Sequence, residues 1–153
     1  MEPLVNIYIK ISWHGALRGS GTAAALIVFD DSRGGCHKMM VTTKVTNSTR
    51  DRLQLQAVTK ALNVLKKPCS AGIYIDNDYI KQAIEQGWAQ QWKKAGWRNK
   101  KGKEPKNRDV WTYLLPLLNR HKVGIVSYIP TFDKELLNAL TEQEEIDDGN
   151  KEK

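Results

Sequence analysis

The sequence predicts an α/β fold with a mixed five-stranded sheet, three antiparallel strands and then parallel strands, flanked by about four helices. First, three consecutive segments of strand length are separated only by turns, which indicates an antiparallel meander. Second, helical segments then alternate with short apolar strands, and a strand–helix–strand unit implies a parallel, right-handed crossover. Third, the 153 residues, of which 41% are hydrophobic, suit one domain with its own core.

The first three predicted strands occupy the amino-terminal part of the chain. Residues 5–11 alternate apolar and polar side chains, as a half-buried strand does. Residues 23–29 form an unbroken apolar run of strand length, and residues 37–45 return as the third strand. Glycines within 15–21 and the later Asp-Asp-Ser-Arg-Gly-Gly segment supply the two turns.

The helical part of the pattern begins near residue 49. Apolar residues recur at helical spacing over 53–65, after a helix start at Asn47-Ser48-Thr49, and Pro68 ends the segment. The remaining predicted elements are a strand over 72–76, a helix over 79–92, a basic loop over 93–107, a helix over 109–119, a strand over 123–129 and a last helix over roughly 132–143.

Charge is distributed unevenly along the chain. Residues 142–153 hold six acidic side chains and two lysines, a charge of −4, which leaves +11 on residues 1–141 for a net charge of +7. We therefore predict one domain over 1–141 and an acidic, disordered tail over 142–153. A body this basic favours a polyanionic partner, because binding releases condensed counterions.

Several classes of protein are disfavoured by what the sequence lacks. No apolar run approaches the roughly 20 residues that a membrane-spanning helix needs, and the first residues do not follow the order of a signal peptide. Cys36 and Cys69 show no metal-ligand spacing. We expect a cytoplasmic protein with reduced thiols and no membrane partner, for which a monomer is favoured.

Three stretches carry a resemblance to a known family. In residues 73–84 a short strand ends in Asp76 and is followed by Asn-Asp-Tyr-Ile. Residues 88–111 space four tryptophans around Lys93-Lys94 and end in Lys-Asn-Arg-Asp-Val-Trp, and residues 49–55 place Arg52 at a helix start. In these motifs, and in the order of elements over nearly the whole chain, the sequence resembles the type 1 ribonucleases H. The resemblance implies the ribonuclease H-like fold.

The resemblance also implies a chemistry. These enzymes hydrolyse the RNA strand of an RNA/DNA hybrid with four carboxylates that hold two Mg²⁺ ions. The four positions fall here on Lys10, on Gln54, on Asp76 and on one of Asp133, Glu135 or Asn138 near the start of the last helix. An ammonium repels a metal ion and an amide lacks the charge of a carboxylate. We therefore expect no cofactor, or only weak binding of Mg²⁺ or Mn²⁺, and much reduced hydrolysis.

The residues at these positions have alternative interpretations. Asp76 is either a surviving metal ligand or the N-cap of the following helix. Lys10 is an ammonium that replaces a metal ion and binds phosphate directly, a salt-bridge partner of Asp76, or an exposed strand residue. Asp78 is a replacement ligand or a solvent-facing side chain.

In the family, the region of the tryptophans is a basic protrusion that grips the DNA strand, and the start of the first long helix contacts the DNA backbone. The corresponding candidate nucleic-acid-binding residues are Arg50, Arg52, Trp92, Lys93, Lys94, Trp97, Arg98, Lys100, Lys101, Lys103 and Lys106. The alternatives are tryptophans that pack in the core, a solvated lysine-rich loop, and a helix start that serves only for capping.

Three functional hypotheses follow. The first is a ribonuclease H-like pseudoenzyme that binds the backbone of an RNA/DNA hybrid or of double-stranded RNA. The second is a divergent but active endoribonuclease with a site rebuilt around Asp76, Asp78 and Asp133. The third is a protein-interaction adaptor on the same fold.

Overall fold

A computed structural model describes the backbone of residues 2–151 and the side chains of residues 2–144. Its elements are β1 (Leu4–Gly15), β2 (Gly19–Asp30), β3 (Cys36–Ser48), α1 (Arg50–Asn63), β4 (Ser70–Tyr74), α2 (Asp78–Glu85), α3 (Trp88–Lys94), α4 (Arg108–Arg120), β5 (Lys122–Val126), a 3₁₀ turn (Pro130–Phe132) and α5 (Asp133–Lys151). The strands form one sheet in the order β3-β2-β1-β4-β5. The first three are antiparallel, and β1–β4 and β4–β5 are parallel, which confirms the predicted mixed sheet.

Strand β1 at the centre of the sheet has two buried faces. Val5, Ile7 and Ile9 belong to the larger core, which the sheet forms with α1 and α4. Tyr8 points the other way, into a smaller core beneath α5. Because successive side chains of a strand alternate between faces, Lys10 lies on the α5 side with Tyr8.

Helix α5 covers that second face of the sheet. Leu136 and Leu140 are buried there together with Tyr8, Ala24 and Leu26. The packing fixes the start of α5, and therefore Asp133, beside the middle of β1. Distant parts of the sequence meet at this point, which becomes important for the candidate site.

Two elements differ from the predicted boundaries. The helix predicted over 79–92 is two helices, α2 and α3, because Gly87 adopts a left-handed conformation with φ of +66° and breaks the helix between them. The last strand ends at Val126 rather than at 129. None of the helices in the described part of the chain has the length and apolar character needed to cross a lipid bilayer.

The carboxyl-terminal segment also differs from the expected disorder, since α5 continues to Lys151. The Ser12 hydroxyl donates to the Glu144 carboxylate at 2.7 Å, and His14 Nε2 lies 3.5 Å from the same carboxylate. These contacts with the end of β1 give the helix a reason to extend past residue 141. The domain boundary at 141 stays a prediction.

The packing of α5 predicts a clear contrast between two neighbouring leucines. Leu136 is 0% exposed and Leu137 is 46% exposed. Leu136→Ala should lower the free energy of unfolding by about 2–5 kcal/mol, because it leaves a cavity in the smaller core. Leu137→Ala should stay within about 0.5 kcal/mol of the wild type. Urea denaturation measures both, and equal losses would show that α5 does not pack on this face.

Candidate nucleic-acid interface

A cleft of about 480 Å³ opens beside the first turn of α1, where β1 and β4 lead toward the same edge of the sheet. The resemblance implies carboxylates at four positions. Three of these positions line the cleft, and they are occupied by Lys10, Gln54 and Asp76. It is also lined by the charged residues Arg50, Asp51 and Asp78. The fold therefore brings together the residues that the sequence places far apart.

Lys10 makes an ion pair inside this region. Its Nζ donates to Asp133 Oδ1 at 3.2 Å and lies 5.2 Å from the centroid of the Tyr128 ring. The alternative in which Lys10 forms a salt bridge with Asp76 is therefore wrong. Lys10 faces α5, and Asp76 instead accepts a hydrogen bond at 3.1 Å from the backbone N–H of Tyr128.

Tyr128 connects both carboxylates and was not found by the sequence analysis. Its hydroxyl donates to Asp133, while its backbone N–H donates to Asp76. The hydrogen bond from Tyr128, followed by that from Lys10, lowers the pKa of Asp133, and burial followed by the contact with Asp133 raises the pKa of Tyr128. Asp133 is thus held as an anion between a phenol and an ammonium. The predicted strand over 123–129 included Tyr128, and nothing in the strand pattern predicted its contact with Asp133.

Gln54 and Asn77 also line the cleft and are hydrogen-bonded to each other. Asn77 Nδ2 donates to Gln54 Oε1 at 2.7 Å, and Gln54 Nε2 donates to the Asp76 carbonyl at 3.4 Å. Asn77 Oδ1 also accepts from the backbone N–H of Ile80, so Asn77 caps α2. The alternative in which Asp76 caps that helix is therefore wrong, and the amide of Gln54 is engaged through both of its polar atoms.

These residues do not fit a pair of Mg²⁺ ions. Mg²⁺ needs oxygen ligands in a nearly octahedral arrangement, but Lys10 offers none and the side-chain oxygen of Gln54 already accepts from Asn77. Asp133 is shared between Lys10 and Tyr128. Among the side chains that the structure describes, no three of the types His, Cys, Asp and Glu lie together as a group that could hold a metal ion. This includes Asp76, Asp78 and Asp133.

A second groove, of about 500 Å³, lies on the other side of the first turn of α1. Its charged lining residues are Arg18, Lys44 and Arg52, with no acidic side chain among them. Arg18 donates to the Asn47 carbonyl at 2.5 Å, which anchors the β1–β2 turn to the end of β3. Arg18 and Lys44 were not predicted from the sequence, because one lies in the turn after β1 and the other on β3, outside the motif at residues 47–49.

Arg52 is held in position rather than projecting into solvent. It forms a bidentate pair with Asp109, with N–O distances of 2.9 Å and 2.5 Å. This contact lowers the pKa of Asp109 and raises that of Arg52. Thr49 Oγ1 accepts from the backbone N–H of Arg52, so the predicted cap of α1 is also present. Arg50, in contrast, is exposed at the rim of the cleft.

The basic loop between α3 and α4 is an ordered turn with exposed cations. Asn99 Oδ1 accepts from the backbone N–H groups of Lys101 and Lys103, both at 3.0 Å. The exposed basic side chains of this region are Lys93, Lys94, Arg98, Lys100, Lys101, Lys103 and Lys106. We refer to these seven residues as the basic protrusion. None of them forms an ion pair with another residue that the structure describes.

The tryptophans support the protrusion from beneath. Trp92 is half-buried and contacts the rings of Trp88 and Trp111 at centroid distances of 6.1 Å and 5.8 Å. Trp97 packs against the same core, with the Arg108 guanidinium 5.7 Å from its ring centroid. Of the alternatives left open by the sequence, packing describes both side chains.

Known proteins are similar to this chain in sequence over most of its length. A family model described as RNase H matches residues 5–142. The ribonuclease H of Thermus thermophilus is 37% identical over 126 residues, which cover 80% of this chain and 73% of that protein. The ribonuclease H of Haemophilus influenzae is 39% identical over 124 residues, which cover 81% of this chain and 76% of that protein.

Solved structures show the same architecture. LC9-RNase H1, described as a type 1 RNase H with the type 2 active-site motif, matches with a TM-score of 0.72 and 21% identity over 94% of this chain and 74% of that one. A foamy viral protease-reverse transcriptase in complex with an RNA/DNA hybrid matches with a TM-score of 0.62 and 14% identity, over 91% of this chain and 19% of that one. At these identities the likeness shows the fold.

The Tyr128–Asp133 contact predicts a measurable change in titration. Because the folded pKa of Asp133 is lowered, its contribution to stability is present above the pKa of the unfolded chain and is lost as pH falls through the folded pKa. Tyr128→Phe should move the folded pKa of Asp133 upward, toward its ordinary value. Carboxyl NMR titration measures this shift. Tyr113→Phe, at an exposed tyrosine, is the control and should leave Asp133 unchanged.

Proposed function

The chain belongs to the RNase H family, and from this premise we propose that it binds the backbone of an RNA/DNA hybrid or of duplex RNA, with hydrolysis lost or much reduced. One observation carries the proposal. The cations of the basic protrusion are exposed and form no ion pair with another described residue, whereas the ammonium of Lys10 is paired with Asp133 beside the cleft. The basic surface can thus still bind a nucleic-acid backbone, whereas the cleft has no carboxylate at two of the four positions that metal-dependent hydrolysis uses in the family.

Binding is supported by two clusters of positive charge that meet at Asn107. The groove that contains Arg18, Lys44 and Arg52 adjoins the cleft along the first turn of α1. Asn107, the residue before α4, lines the same groove and accepts from Arg52 at 3.4 Å. The basic protrusion leads directly into this residue. A nucleic-acid backbone that follows the two clusters would meet cations along its length, which favours binding without sequence preference.

Trp92 and Trp97 have a supporting part in this proposal. Both pack against the core, so the contacts with nucleic acid come from the cations that they hold in place. Backbone contacts of this kind are salt-sensitive, since each one releases condensed counterions.

Reduced hydrolysis is supported by the lack of suitable metal ligands at two of the four positions in the cleft. The route used by the family requires two ions that activate water and stabilise the leaving oxygen. Lys10 and Gln54 supply an ammonium and an engaged amide where two anions would be needed. A cytoplasmic location and a monomeric state complete the proposal as predictions.

The first experiment measures hybrid binding as a function of salt. Replacing Lys100, Lys101 and Lys103 together by Gln should weaken binding and lower the slope of log K against log salt by about 2 to 3, because up to three phosphate contacts are lost. A triple Gln variant of Lys66, Lys67 and Lys122, exposed at the far end of α1 and on β5, changes the net charge equally. It should retain most of the affinity. Absence of binding at low salt in the wild type would favour the adaptor.

The second experiment measures cleavage of a labelled hybrid with Mg²⁺ or Mn²⁺. We expect cleavage at least about a thousandfold slower than that of an active relative assayed in parallel, since both metal-dependent contributions to the barrier are missing. Asp76→Asn is the control variant. Robust cleavage that disappears in this variant would contradict the proposal and favour the enzyme with a rebuilt site.

A further inference from the structure

We propose that Lys10 is a resident cation that takes the place of the divalent ions in the cleft, so that the protein binds a phosphodiester there without a metal ion. This inference rests on the proposed function, because it concerns how the bound nucleic acid is held at the cleft. It goes beyond that function by assigning a ligand to Lys10 and by predicting independence from divalent metals.

The first argument is the charge at the four positions. Four carboxylates with two Mg²⁺ ions sum to zero, and four carboxylates alone carry −4. Lys10, Gln54, Asp76 and Asp133 together carry −1. The changes at Lys10 and Gln54 therefore supply three of the four positive charges that two Mg²⁺ ions would bring. A phosphodiester that approaches this set meets nearly the same net charge as in a metal-loaded site.

The second argument is how the ammonium is held. The Lys10 side chain is 31% exposed and lines the cleft, while Asp133 and the Tyr128 ring fix its position. A lysine ammonium has three N–H donors, and the structure shows one of them on Asp133. No other described residue accepts a hydrogen bond from this ammonium, so two donors remain for the oxygens of a phosphate in the cleft.

The third argument is the position of the other charges. Arg50 stands at the rim of the cleft and forms no ion pair with any residue that the structure describes. It can share a phosphate with Lys10. Asp51 and Asp78 also line the cleft, but both are exposed, so that solvent screens their charges more than it screens that of Lys10.

The test compares hybrid binding in EDTA and in Mg²⁺ at matched ionic strength. The wild type should bind within about twofold in the two buffers. Lys10→Met should bind about tenfold more weakly in both, because one charge-assisted contact is lost and no carboxylate is gained. Lys10→Asp should bind weakly in EDTA and recover at least partly in Mg²⁺ or Mn²⁺. A wild type that binds more than tenfold tighter in Mg²⁺ would overturn the inference.

A measurement without nucleic acid separates this inference from the proposed function. Mn²⁺ should leave the melting temperature of the wild type unchanged. It should raise the melting temperature of Lys10→Asp by several degrees, and likewise that of the double variant Lys10→Asp with Gln54→Glu. If the wild type binds no hybrid but the melting temperatures behave in this way, the proposed function fails while the replacement of metal by Lys10 stands. An equal Mn²⁺ shift in the wild type would overturn the inference.

Lys38→Asp is the matched control. Lys38 pairs with Glu135 on α5 at 3.1 Å, so this variant breaks a comparable ion pair and makes the same change in charge, but it lies outside the cleft. It should show no response to divalent ions in either measurement. A response equal to that of Lys10→Asp would show a general effect of surface charge and would overturn the inference. Circular dichroism checks folding, and Lys10→Met tests the wild-type contact if Lys10→Asp does not fold.

Discussion

The ion pair between Lys10 and Asp133 joins the central strand of the sheet to the first residue of the last helix, and the candidate site is organised around it. Tyr128 closes the arrangement, since its hydroxyl binds Asp133 and its backbone N–H binds Asp76. Asp76 and Asp133, the two carboxylates at these positions, therefore each have a partner within the protein. The groups at the centre of the cleft thus bind one another.

The first turn of α1 has a different role, because it forms part of both grooves. Thr49 and Arg52 line the basic groove, and Arg50 and Gln54 line the cleft. The bidentate contact of Arg52 with Asp109 fixes this turn against the start of α4, to which the basic protrusion leads. The basic groove and the cleft depend on different residues of one helix. Substitutions in the cleft can therefore change its chemistry while the basic groove is retained.

Much of the fold could be predicted from the sequence because it follows from local patterns. Alternation in β1, the apolar run of β2 and the helical spacing in α1 led to the observed order of elements. The boundaries that failed depend on single residues in their surroundings. Gly87 divides one predicted helix, and the contacts of Glu144 with Ser12 and His14 accompany a longer α5. Neither effect changes the spacing of apolar residues along the sequence, from which the elements were predicted.

By itself, the sequence determined the fold, the family and the identities of the groups at the cleft, because strand and helix patterns and the spacing of motifs are local properties of a chain. Which groups contact one another was decided by the tertiary structure alone. Lys10 pairs with Asp133 rather than Asp76 because β1 alternation turns it toward α5, and Tyr128 enters the site because β5 ends two residues before it. The contacts of Lys10 with Asp133 and of Tyr128 with Asp76 join residues more than fifty positions apart, a separation at which only the packing of the folded chain sets distances.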